Sequence, residues 1–254
     1  MLNAAVFFVY NYFIKGYNLY IKSKEDTHMA ADRKKLAINA TIKYIAGLVL
    51  VAALLFLPAG TFHYPNGWMF IALLFIPMFF LGVFLLIKSP QLLEKRLQSK
   101  EKRSVQSKVV AFSGIAFLLS FIMAGIDFRF GFSSVPKAVV FAASVILLVS
   151  YGLYAEVMKE NAYLSRTIEV QEKQKVIDTG LYAVVRHPMY MATVLLFLSI
   201  PLVLGSCISF VLMLSYPAII CVRIRDEEQL LEKELQGYSE YKNKVKYRLI
   251  PFVW

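Results

Sequence analysis

The chain has 254 residues, 58% of them hydrophobic and 15% aromatic, with a mean hydropathy of +0.58. That balance excludes an ordinary soluble domain, and the lack of alternating apolar patterning excludes a barrel, so an all-α integral membrane protein is expected. The net charge of +11 sits in short segments beside apolar runs. This pattern fits anionic headgroups and topology control, with membrane lipids as partners and no nucleic acid.

Residues 1–21 begin apolar and continue with Asn11, Lys15 and Asn18, which predicts an interfacial helix rich in Tyr and Phe. A cleavable signal is not expected, because no Lys precedes the apolar run and no small-residue cleavage site follows it. Residues 22–35 are charged and complete a first region, 1–35.

Four full spans follow, over residues 36–57, 68–87, 109–126 and 137–158, and make a second region, 36–158. Pro58-Ala59-Gly60 closes the first span, and Pro77 predicts a kink in the second. Lys and Arg concentrate at 22–35, 88–108, 159–188 and 223–254, while 58–67 and 127–136 hold almost none. Four spans put every basic segment on one side, which the positive-inside rule makes the cytosol.

Residues 159–254 form the third region. Their apolar block, 189–222, begins and ends beside cytosolic segments, so it must enter and return as a helical hairpin. Pro201 and Gly205-Ser206 interrupt it. The arms 190–200 and 207–222 give about 16 and 24 Å of helix, short of a ~30 Å core, so at least one arm is expected to be short or re-entrant. Cys207 and Cys221 lie in this block without metal-ligand spacing, and are read as free buried thiols with neither disulfide nor metal.

From Arg223 the tail predicts an amphipathic helix, with Leu230, Leu231 and Leu235 on one stripe and Gly237 as its stop. The closing Leu249-Ile250-Pro251-Phe252-Val253-Trp254 predicts an interfacial anchor.

Two polar clusters flank the hairpin. Arg186-His187-Pro188-x-Tyr190 puts a cation, a tunable donor/acceptor and a phenol at the membrane surface, and Pro188 suits the first turn of a helix. Arg223 and Glu227, at i and i+4, share a helix face. Asp226 and Glu228 beside them read as solvated carboxylates at a helix start. Glu156, Glu160 and Asn161 read as an interfacial helix end. No P-loop, GxGxxG, GxSxG or intramembrane Asp pair is present.

Several motifs then occur in order: Gly180-x-Tyr182, Arg186-His187-Pro188-x-Tyr190, Arg223-x-x-x-Glu227-Glu228, and Gly237-Tyr238-x-x-Tyr241 ahead of Arg248-Leu249-Ile250-Pro251. Over residues 156–254 the chain resembles the isoprenylcysteine carboxyl methyltransferase family, whose wider relatives are phospholipid N-methyltransferases. The resemblance implies a membrane methyltransferase using S-adenosylmethionine, with its active site facing the cytosol. By position it implies cofactor contacts from Gln174, Lys175, Val176, Ile177, Tyr182, His187, Pro188, Met189, Tyr190 and Glu227. It implies that Arg223 holds a substrate carboxylate, and that Arg223 and Glu227 serve catalysis. The implied acceptor is a lipophilic small molecule or a prenylated (isoprenylcysteine-like) group. The family's small residue after RHPxY is displaced, with Met191 and then Ala192 in its place, which bears on the acceptor more than on the reaction. A phospholipid amine N-methyltransferase and an NADPH-dependent membrane reductase of related fold are the alternatives.

Overall fold

The computed structural model describes residues 32–97, 104–161, 163, 170–171 and 174–254. The expected interfacial helix over 1–21, and most of the charged 22–35 segment, lie outside the described residues. Among the described residues all regular structure is helical. Five helices are long and apolar enough to cross a membrane: Asp32–Ala59 (α1), Pro65–Lys88 (α2), Val105–Phe130 within Ser104–Phe130 (α4), Lys137–Glu160 (α5), and Cys207–Glu234. The protein is thus a multi-pass integral membrane protein.

Each span grows from apolar sequence, and its outward residues are left largely uncovered by the described residues. Leu57, Phe80, Phe84, Phe112, Phe141 and Val211 are all exposed, as lipid-facing positions should be. The inward residues Leu55, Phe70, Phe121, Leu147, Ile200 and Leu204 pack into one central core. Pro77 lies inside α2, as expected. α4 starts five residues before the expected 109 and runs through Asp127, because that carboxylate is buried and satisfied rather than looped into water. A short amphipathic helix that the sequence does not predict, Pro90–Leu97 (α3), occupies the basic connection after α2.

The hairpin forms from α6 (Pro188–Val203) and a return arm in which α7 (Cys207–Met213) leads into α8 (Ser215–Glu234). Pro201 does not break the first arm. It sits in the last turn of α6, where little ladder remains to lose, and the chain reverses at Gly205 (φ +82°). Both arms run between the two ends of the bundle. At the far end the Tyr64 hydroxyl, between α1 and α2, donates to Leu204 O at 2.6 Å. There too the Asp127 carboxylate accepts from Ser133 N (2.7 Å), Ser133 Oγ (2.5 Å) and Ser206 Oγ (2.5 Å). The first arm is therefore short but not re-entrant. At 16 residues α6 is about 24 Å long, against about 36 Å for α5, along which it packs most extensively. Its start is consequently recessed toward the membrane.

The second arm departs further from expectation. α8 does not begin at Arg223; it continues unbroken from the apolar block into the charged cluster. Charges cannot lie in hydrocarbon without cost, so the part from Arg223 onward projects beyond the membrane. Gly237 (φ +84°) then turns the chain into α9 (Tyr238–Lys244). Cys207 and Cys221 are free, but neither is buried: Cys207 is exposed and Cys221 half-buried.

Candidate active site

The recessed start of α6 and the projecting part of α8 enclose a cavity at the end of the bundle. A loop and α9 close it. Asn161, Tyr163, Gln174, Lys175, Val176, Ile177, Tyr182, Arg186, His187, Met189, Tyr190, Arg223, Glu227, Leu231, Leu235, Tyr238 and Tyr241 line it. Of the residues singled out in the sequence, Gln174 through Ile177, Tyr182, His187, Met189, Tyr190, Arg223 and Glu227 come together here. Pro188 does not reach the wall; it is the buried first residue of α6, positioning its neighbours.

The floor is built by a hydroxyl. The Tyr190 hydroxyl donates to Glu227 Oε2 at 2.6 Å and accepts from Arg223 Nε at 2.9 Å. The i, i+4 pair on α8 is thereby bridged by the first turn of α6, and the Arg223 guanidinium lies 5.8 Å over the Tyr190 ring. A carboxylate and a guanidinium thus share one wall, each oriented by the same phenol.

The RHP segment is anchored from below. Arg186 N donates to Tyr247 O and His187 N to Arg248 O, both at 2.9 Å, so the segment pairs with the chain's last ten residues. Arg186 Nη1 donates to Val245 O (2.7 Å) and Lys246 O (2.9 Å), and its Nε to Glu228 Oε1 (2.7 Å). Glu228 also accepts from His187 Nε2 (3.3 Å) and, through Oε2, from Arg248 Nε (2.9 Å). Reading Asp226 and Glu228 as solvated carboxylates is therefore wrong. Both are buried in the middle of α8, Asp226 accepting from Gln106 Nε2 of α4 at 2.5 Å. Burial alone would raise the Glu228 carboxyl; the hydrogen bonds and charges of His187 and Arg186 outweigh it and hold it at about 2.

The third wall is aromatic. Gly180 opens a 3-10 turn, Gly180–Ala183, at φ +52°. A Cβ there would fall 1.5 Å from Glu160 Oε1, because the Glu160 carboxylate packs against the turn and accepts from Leu181 N (3.2 Å). Glu160 and Asn161 are thus part of the site's frame rather than a bare helix end. The turn presents Tyr182, whose hydroxyl accepts from Asn161 Nδ2 (2.9 Å) and whose carbonyl accepts from the Tyr241 hydroxyl (2.7 Å). Burial, countered in part by the Asn161 hydrogen bond and aided by Glu227 and Glu160, pushes Tyr182 up to about 12. Burial likewise raises Tyr238 and Tyr241, so these phenols keep their protons at neutral pH. The Tyr238 hydroxyl is buried and, among the described residues, has no partner.

The sequence reading did not select Asn161, Tyr163, Arg186, Leu231, Leu235, Tyr238 or Tyr241 as site residues. The i, i+3 tyrosine pair after Gly237 was the available signal, since a phenol is buried at a cost unless something meets its hydroxyl.

Fold and site together define a multi-pass membrane protein with a polar, aromatic-walled cavity at one end of its helix bundle. Residues 139–233 match the isoprenylcysteine carboxyl methyltransferase (ICMT) family, so the resemblance read from the motifs holds over that segment. The chain is also similar to the Delta(14)-sterol reductase TM7SF2 of Mus musculus, 32% identical over 91 residues. That match covers 35% of this chain and 22% of the reductase, so the chain spans about a fifth of that curated relative.

Proposed function

We propose that this protein is an S-adenosylmethionine-dependent integral membrane methyltransferase whose cavity opens to the cytosol and whose acceptor is the carboxylate of a lipophilic, isoprenylcysteine-like molecule. The observation that carries the proposal is the convergence of His187, Tyr190, Arg223 and Glu227 with the 174–177 segment around one cavity, within a chain whose residues 139–233 match a methyltransferase family.

The residues fit the cofactor. It carries an ammonium, a carboxylate, hydroxyls and an aromatic base. The cavity offers the Glu227 carboxylate for the cation, backbone groups at 174–177 for edge hydrogen bonds, and rings at Tyr182, Tyr238 and Tyr241 for stacking. The orphaned Tyr238 hydroxyl is a buried donor awaiting an acceptor. When bound, S-adenosylmethionine supplies a methyl group already activated on a sulfonium.

The protein's own part is then to hold and orient. An acceptor carboxylate, with a pKa near 4, is ionised at neutral pH and needs no base. Arg223, steadied by Tyr190 through its Nε, positions that carboxylate by a charge-assisted contact. Tyr190 keeps Glu227 turned into the cavity. The recess of α6 sets these groups low enough for an acceptor whose tail stays among lipid, and strips water from the approach. An amine acceptor arrives protonated and is repelled by the Arg223 guanidinium, and its N-methyl product is again a cation, which disfavours N-methylation. The basic ends of α1, α2 and α5 lie at the same end as the cavity, which supports a cytosolic site.

The similarity to a sterol reductase favours a second reading, an NADPH-dependent reductase. The test is binding of S-adenosylhomocysteine and of NADPH to the purified protein, followed by transfer of labelled methyl to a prenylcysteine panel. Methanol released in base identifies an ester. NADPH binding without S-adenosylhomocysteine binding would overturn the proposal.

A further inference from the structure

Three basic side chains converge on Glu228, and two of them, Arg186 and His187, also line the cavity. Arg186 spends its Nε on Glu228 and its Nη1 on two backbone carbonyls, and Arg248 meets Glu228 from the C-terminal segment. His187 Nε2 meets Glu228 Oε1, and the ring makes no other hydrogen bond among the described residues. It lies flat against Tyr190, ring centres 5.7 Å apart, and lines the cavity.

We propose that Glu228 is a positioning residue: it fixes the tautomer of His187, leaving the Nδ1 lone pair to accept a hydrogen bond from a cationic N–H donor of the bound ligand. The proposal rests on reading the cavity as an S-adenosylmethionine site, which supplies the donor as the ammonium of its amino-acid part.

The chemistry follows from the inventory of protons. An ionised carboxylate accepts and cannot donate, so the proton of the His187–Glu228 contact sits on Nε2. In a neutral imidazole the other nitrogen is then bare. Glu228 is buried and tied down by two guanidiniums, so it cannot swing away to let the ring reverse. On the same cavity wall Glu227 adds an attraction for a positively charged donor, and Arg223 beside it an attraction for an anionic group. Adjacent glutamates thus divide the work: Glu227 faces the ligand, and Glu228 prepares the histidine that faces it.

The test has two arms. In the first, nitrogen NMR of the 15N-histidine-labelled protein reads the tautomer of His187. The Nε2–H form is expected in the wild type, and a mixture in Glu228→Gln, whose amide can donate as well as accept. A wild-type Nδ1–H form would overturn the proposal. In the second, calorimetry compares S-adenosylhomocysteine, which carries the ammonium, with 5′-methylthioadenosine, which lacks the whole amino-acid part. His187→Gln keeps a donor for Glu228 but removes Nδ1. It is expected to weaken S-adenosylhomocysteine binding about tenfold while leaving methylthioadenosine binding and thermal stability unchanged. Equal affinity for S-adenosylhomocysteine in this variant and the wild type would overturn the ligand role. If the wild type bound neither compound, the cofactor reading would fall, and the NMR arm would still decide what Glu228 does.

Discussion

The two ends of the helix bundle each bury a carboxylate, and they satisfy it in opposite ways. At the far end Asp127 is held by neutral donors: a backbone N–H and two serine hydroxyls, drawn from the loop after α4 and the turn before α7. At the cavity end Glu228 is held by two guanidiniums and an imidazole, drawn from the RHP segment and the C-terminus. Neutral donors satisfy the lone pairs of the carboxylate and close a turn, and none of them carries a charge that depends on it. Cationic donors make a hub whose members each need the carboxylate, so removing it strands several charges at once. The first arrangement is a clasp; the second can orient a site.

The largest effect should therefore come from Glu228→Ala. It leaves Arg186 buried without its counter-ion and is expected to cost about 3–5 kcal/mol, measured by thermal unfolding in detergent. The acid profile checks the same hub. A carboxyl held at about 2 contributes stability that is fully present above its unfolded value, near 4.3, and is lost as pH falls through that window toward 2. Wild-type protein should lose stability across that window, and Glu228→Gln should be flatter there. Equal slopes would mean the cations do not depend on this carboxylate.

Asp127→Asn tests the clasp. The amide keeps one acceptor oxygen but sets an N–H₂ against serine groups that were donating, at a cost of about 1–3 kcal/mol. Because Asp127 lies at the opposite end of the bundle, ligand affinity should not move. A loss of S-adenosylhomocysteine binding larger than the loss of stability would erase the contrast between the two ends.

The contrast also marks how far the sequence could be read. Apolar run lengths, with Pro58, Gly60, Gly205 and the placing of Lys and Arg, were enough for the helices, their antiparallel order and the returning hairpin. The motif order was enough for the family resemblance that the match over residues 139–233 bears out. The run Asp226-Glu227-Glu228 was misread, and the helix explains why. At about 100° per residue, three consecutive acids point three ways: Asp226 to Gln106 of α4, Glu227 to the cavity, Glu228 to Arg186 and Arg248. Nothing local distinguishes them, because their partners are 20 to 120 residues distant. α3 escaped for another reason: eight residues of mixed charge carry too little apolar pattern to stand out from a loop.

Tyr190→Phe sharpens the comparison at the cavity itself. It keeps the ring and its packing but removes the hydroxyl that joins Arg223 to Glu227. A hydrogen bond to a charged group contributes about 1.5–3 kcal/mol, so methyl transfer should fall roughly ten- to hundredfold. The loss should exceed any fall in melting temperature, since both charged partners can still reach water in the cavity. Unchanged turnover would remove Tyr190 from the machinery.

The smallest effect, and the one most specific to the ligand, belongs to Tyr238. Its hydroxyl is buried and has no partner among the described residues, so folding already bears the cost of desolvating it. Tyr238→Phe should leave stability unchanged or raise it by up to about 1 kcal/mol. Ligand affinity should fall about fivefold if the hydroxyl donates to a bound acceptor atom, a difference calorimetry resolves. The opposing signs are what separate Tyr238 from Glu228 and Asp127, where stability and satisfaction fall together. A stability loss with affinity intact would show that this phenol, too, serves only the frame.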